Sequence, residues 1–149
     1  DYFRKLNLVT DKIGVGGVSM GGMTTCALLT QHPEITAAAC VMGTPSPVKY
    51  RDYMLRRGAK EGVKLPKDFV HLLSWVEDYD LSRHPETLEK RPLYFWHGRQ
   101  DEKIPFEEVA AFVDKHPEQR LTFAKEDAHH LVQVATMEEV AAFFGQQLL

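Results

Sequence analysis

Gly17-Val18-Ser19-Met20-Gly21 stands between a short apolar run and an amphipathic stretch, and no other part of the sequence limits the fold so strongly. The run before it, Lys12 to Val18, is apolar and β-branched. It is too short for a helix and ends in a sharp polar turn, which predicts a buried strand. After it, from Met20 to about Gln31, apolar side chains recur at helical spacing until His32-Pro33 stops them. The Gly-x-Ser-x-Gly pattern therefore lies on a strand-to-helix turn, with the serine at the carboxyl end of the strand. Glycines on both sides leave room for a close backbone approach, so a side chain at Gly17 or Gly21 is expected to clash. Ser19 Oγ then points outward as a candidate nucleophile, and the Met20 N–H at the helix start is a candidate oxyanion donor.

The remaining elements follow from the same kind of signal. Ile35 to Met42 reads as a second strand, broken by Gly43-Thr44-Pro45-Ser46-Pro47. From Val48 to Glu89 the pattern turns helical and charged, and residues 45–90 are expected to form a helical lid inserted between strands. Arg91 to Gly98 is a third strand, entered at Pro92, and Arg120 to Ala124 a fourth. Between them Pro105 to Lys115 is an amphipathic helix with proline at its start. A last helix is expected from about Met137 to Leu149, opened by a capping box of Thr136 and Glu139. Strands alternating with helices predict an α/β fold with a parallel sheet flanked by helices, and residues 1–149 as one catalytic domain.

Composition narrows the partners. The 149 residues are 44% apolar, enough for one ordinary core, and a net charge of −3 gives no basic field for nucleic acid or an anionic membrane. No apolar run reaches the length of a membrane span, and the opening Asp1-Tyr2-Phe3-Arg4 has no signal-peptide pattern. Cys26 and Cys40 offer neither metal spacing nor a disulfide framework, so the cytoplasm is the expected compartment. His32, His71, His84 and His116 lack paired ligand spacing, and no metal is expected. The basic residues between Lys49 and Asp68 alternate with acids and read as a solvated helical face. Trp75, Trp96 and the Tyr94-Phe95 pair read as core or lid packing.

A nucleophilic serine needs a base and an orienting acid. In a parallel sheet the loops at the carboxyl ends of the strands all open on one edge, so both partners are sought there. The loop after the third strand holds Asp101, with Glu102 beside it as the alternative acid, and the loop after the fourth holds His129 and His130. Only one of the two histidines can point at Ser19. His130 is taken as the base and His129 as a neighbour. His97, ending the third strand, is expected to shape the loop that carries Asp101.

Taken together, Gly17-Val18-Ser19-Met20-Gly21-Gly22, His97-Gly98 with Asp101 and Ile104-Pro105, and His130-Leu131-Val132 resemble the α/β-hydrolase superfamily, in particular its prolyl-oligopeptidase-like esterase branch. The resemblance covers nearly the whole chain. It implies a serine hydrolase acting on carboxylic esters through an acyl-enzyme: Ser19 as nucleophile, His130 as base, Asp101 as acid, Met20 N–H as an oxyanion donor, and no cofactor. A small ester or a short peptide is the implied substrate, with a peptidase or thioesterase as the enzymatic alternatives. The family carries several strands and a second oxyanion donor ahead of the nucleophile strand, whereas here only residues 1–11 precede it. The expectation that follows is a catalytic portion whose first strand forms a sheet edge, prone to dimerise or to pair with an upstream segment. A non-catalytic, partner-binding fragment is the reading from another functional class.

Overall fold

A computed structural model of the chain describes residues 5–6, 10–66 and 68–149. The short segment expected ahead of the first strand falls largely outside them. Four strands, β1 (Ile13–Val18), β2 (Ile35–Val41), β3 (Leu93–Gly98) and β4 (Leu121–Glu126), form one parallel sheet in the order β1-β2-β3-β4. Helix α1 (Met20–Gln31) joins β1 to β2, α4 (Phe106–Lys115) joins β3 to β4, and α5 (Val134–Leu148) follows β4. Between β2 and β3 lie α2 (Pro47–Lys60), the single turn α3 (Phe69–Leu72) and two 3-10 helices, Ser74–Tyr79 and Pro85–Leu88. The chain order is thus the α/β alternation read from the sequence, with residues 47–88 as the insert.

Packing on both faces explains the strand composition. Side chains alternate across a strand, so Ala38, Cys40, Leu93 and Phe95 face one side, with Cys26 and Leu29 of α1 and Val109 and Phe112 of α4. Ala37, Ala39, Val41, Tyr94 and Trp96 face the other, under Val140 and Phe143 of α5. Every residue of β3 is buried, as expected for a strand covered on both faces. In β1 exposure alternates, and this strand is an edge of the described sheet. The fourth strand runs through Glu126, two residues beyond its expected end. Pairing carries it on, because Lys125 and Glu126 stand in register with His97 and Gly98 and so extend the ladder despite their charge.

The insert is anchored at both ends by polar side chains, one buried and one half-buried. Asp80, 1% exposed, accepts a hydrogen bond from Val48 N at 3.1 Å and so caps α2 from across the fold, where Ser46 supplies no side-chain cap. At the other end the Arg91 guanidinium donates to the carbonyls of Leu29, His32, Ile35, Thr87 and Leu88, tying the last 3-10 turn to the end of α1. All its donor directions are used, and burial holds its pKa below the usual arginine value.

The start of the last helix departs from expectation. Helix α5 begins at Val134, with Gln133 as N-cap and no side-chain cap, so Thr136 and Glu139 form no capping box. Thr136 is buried inside the first turn, and the Glu139 carboxylate accepts a hydrogen bond from Tyr94 Oη at 2.7 Å instead. That bond, after burial itself, pushes the Tyr94 phenol well above its ordinary pKa. Trp96 lies in the core, and Trp75, 58% exposed, packs edge-on against Tyr79 within the insert. Among the described residues no helix is long and apolar enough to cross a membrane.

Candidate active site

Ser19 stands at the N-cap of α1 with φ 56° and ψ −117°, in the left-handed half of backbone space that a non-glycine residue enters at a cost of roughly 1–3 kcal/mol. Its backbone is fixed on both sides: Ser19 N donates to Val41 O at 2.8 Å, and Ser19 O accepts from Met23 N at 3.1 Å. Serine at an N-cap ordinarily turns its hydroxyl onto its own helix. Here it makes no such cap, and Oγ lies 2.8 Å from His130 Nε2. The turn closes so tightly that a Cβ on Gly17 would run into the Gly21 backbone, at under 3 Å from Gly21 Cα. The expectation for Gly21 itself fails, since a Cβ there would meet nothing within 4 Å. The crowding is one-sided because the Gly17 Cβ direction points into the turn, while that of Gly21 points into open space.

Asp101 lies in the loop after β3 with its side chain fully buried. Oδ1 accepts from Lys103 N at 2.9 Å and Ile104 N at 3.0 Å, which closes the loop around the carboxylate. Oδ2 accepts from His130 Nδ1 at 2.7 Å. A carboxylate on Nδ1 sets the proton there and leaves Nε2 as the acceptor for the Ser19 hydroxyl. His97 completes the arrangement: its Nε2 donates to Ile104 O at 2.9 Å and stands 3.2 Å from Asp101 Oδ2. Burial pushes the His97 pKa down, which favours the neutral ring beside the acid. Glu102, the alternative acid, is exposed, and its backbone carbonyl accepts from Tyr53 Oη and Arg57 of the insert.

The two adjacent histidines separate by geometry. His130 bridges Ser19 and Asp101, whereas the His129 ring donates through Nδ1 to Gln100 O at 2.9 Å. This bond belongs to a crossing of two loops. Neighbouring strands lie about 4.8 Å apart, so β1 and β4 are separated by roughly 14 Å, and the loop after β4 must fold back over the end of β3 to reach Ser19. It crosses at Gly98, where Ala128 O accepts from Gln100 N at 3.0 Å and Glu126 O from Arg99 N at 2.8 Å. A Cβ on Gly98 would collide with the Ala128 carbonyl. Sequence reasoning assigned neither the crossing at Gly98 nor the tie made by His129. The His97-Gly98 exit of β3 was their only visible trace.

Residues 1–148 match a family profile described as the prolyl oligopeptidase family. The chain is 32% identical over 159 residues to "Putative esterase YitV" of Bacillus subtilis (strain 168), covering 99% of this chain and 62% of the relative. It is 25% identical over 146 residues to "Esterase YjfP" of Escherichia coli (strain K12), covering 95% and 59%. Among solved structures, the Pyrococcus furiosus esterase Pf2001 aligns over 99% of this chain and 58% of its own, at 21% identity and a TM-score of 0.68. The fold is that of the α/β-hydrolases. The chain spans about three fifths of the length of the curated relatives it matches.

Proposed function

This chain belongs to the prolyl oligopeptidase family, and on that premise we propose that it carries the catalytic machinery of a serine esterase that works through an acyl-enzyme. The observation that carries the reading is the continuous hydrogen-bonded relay from Ser19 Oγ through both nitrogens of His130 to Asp101, at 2.8 and 2.7 Å, with the serine in a strained turn. Ser19 Oγ attacks the ester carbonyl carbon while its proton passes to His130 Nε2. Asp101 steadies the imidazolium, and the negative oxygen of the tetrahedral intermediate faces the Met20 N–H, an orphan donor of the first turn of α1. The intermediate collapses with cleavage of the carbon–oxygen bond to the alcohol, which leaves with the proton from His130. Water then attacks the acyl-serine, giving its proton to His130, and the carboxylic acid departs as Ser19 regains a proton. The scheme needs no cofactor.

The names of the two curated relatives favour esters over amides. The family's own description keeps short peptides as the second substrate class, served by the same relay. In either case residues 45–90 act as a lid that frames the substrate pocket beside Ser19. Labelling by a fluorophosphonate together with turnover of a short acyl ester tests the reading. Both are expected in the parent, and Ser19→Ala should lose both while melting within a few degrees of it, since it removes a single oxygen from a half-buried side chain. Turnover that survives Ser19→Ala refutes it.

A further inference from the structure

Two side chains of the insert converge on one backbone atom of the acid loop. Tyr53 Oη donates to Glu102 O at 2.9 Å and Arg57 Nη1 donates to it at 3.3 Å, from residues 49 and 45 positions away along the chain. Tyr53 and Arg57 stand one turn apart on the same face of α2, so both reach a single oxygen. A carbonyl has two lone pairs, and both are engaged here. The proposed reaction gives this contact no part, and Glu102 itself is an exposed residue.

The other half of that peptide unit faces Asp101. The unit that carries Glu102 O also carries the Lys103 N–H, which donates to Asp101 Oδ1 at 2.9 Å. In a planar trans peptide the C=O and N–H point in opposite directions, and every described peptide bond is trans. Holding the oxygen on α2 therefore aims the N–H at the carboxylate. Donors on the oxygen also polarise the unit and strengthen the N–H as a donor. Aim matters because the terminal torsion of an aspartate is soft, so the bonds on Oδ1 fix where Oδ2 points. Oδ2 is the atom that accepts from His130 Nδ1, at 2.7 Å. The second donor to Oδ1, Ile104 N at 3.0 Å, lies in a stretch held by a different group, His97, whose Nε2 donates to Ile104 O at 2.9 Å.

Resting on the esterase reading, we propose that Tyr53 and Arg57 are positioning residues for Asp101. Through the Glu102–Lys103 peptide they hold the carboxylate on His130, and the relay to Ser19 is complete while α2 lies against the acid loop. The insert thereby has a part in the chemical step as well as in framing the substrate. Tyr53→Phe isolates the effect. It removes one hydroxyl, keeps the ring stacked with Tyr50 at 6.3 Å, and alters no wall of the apolar cavity under α2, which Arg57 borders and Tyr53 does not.

The protein at its natural length is assayed with 4-nitrophenyl acetate and 4-nitrophenyl butyrate, and by its rate of fluorophosphonate labelling. Tyr53→Phe should lower kcat and the labelling rate about three- to tenfold, the effect of one hydrogen bond, while melting within about two degrees of the parent. KM should stay level, because acylation and deacylation both run through His130 and slow together. In an Asp101→Ala background the same substitution should change the labelling rate by less than about twofold, since no carboxylate is left to hold. A parental kcat, a change confined to KM, or an equal loss with and without Asp101 overturns the proposal while leaving a hydrolase. A parent protein that neither labels at Ser19 nor turns over ester would instead overturn the esterase reading, and this proposal with it.

Discussion

Gly98→Ala isolates the crossing of the two loops, because the added methyl sits at the point where the His130 loop passes over β3. The Cβ would stand 2.7 Å from Ala128 C and 2.7 Å from His129 O, where ordinary contact begins at 3.4 Å. The atoms are backbone and cannot rotate away, so the His130 loop must retreat by about 0.7 Å or more. Overpacking of this kind costs roughly 2 kcal/mol, which lowers the melting temperature of a domain this size by about 4–8 °C. The catalytic effect should be larger than the loss of stability suggests. A displacement approaching 1 Å at a reacting group costs about 10²-fold in rate, and here it separates His130 Nε2 from Ser19 Oγ. Hydrolysis of 4-nitrophenyl acetate and thermal melting measure the two effects. A second substitution, His129→Ala, should add little in this background, since the bond to Gln100 O is already lost with the displaced loop. A Gly98→Ala protein with the parent's kcat/KM and melting temperature would refute the claim that this crossing positions the base.

Three further outcomes are expected. His130→Ala should lose activity nearly as far as Ser19→Ala, because the members of a relay act as a unit. His129→Ala should lose only about three- to tenfold, the effect of one hydrogen bond on positioning, and the reverse ranking would move the base to His129. Gly21→Ala should be neutral or raise the melting temperature by a few degrees by adding helix propensity in open space, whereas Gly17→Ala should abolish labelling and yield; equal tolerance would contradict the one-sided turn. His97 should make the fold sensitive to acid. Its folded pKa lies below the ordinary 6.5, so the unfolded chain binds the proton first and stability falls as pH drops below about 6.5. Melting curves across pH should show a shallower acid slope for His97→Gln, and coincident slopes would exclude His97 as the cause.

Local signals carried the sequence reading a long way, since each needs only neighbours along the chain. Apolar periodicity located the four strands and the helices around them, and Pro and Gly punctuation set most ends within a residue or two. The order of Ser19, Asp101 and His130 on successive carboxyl-edge loops was legible because parallel strands send those loops to one side. The misread start of the last helix has a tertiary cause. Thr136 and Glu139 have capping-box spacing, yet Glu139 is engaged by Tyr94, a residue of β3 that sequence proximity cannot bring near.

The sequence by itself therefore determined the α/β architecture and the serine, acid and histidine loops, because strand and helix periodicity and turn chemistry act over a few residues. Only the tertiary structure showed that His130, and not His129, bridges Ser19 and Asp101, moved the glycine requirement of the turn onto Gly17, and joined His97 and Gly98 to the site. His97 is decided by its contact with the acid loop and Gly17 by the way the turn closes on Gly21, whereas the histidine pair and Gly98 depend on where one loop's backbone crosses another's. That crossing is set by strand order and spacing, which no run of adjacent residues encodes.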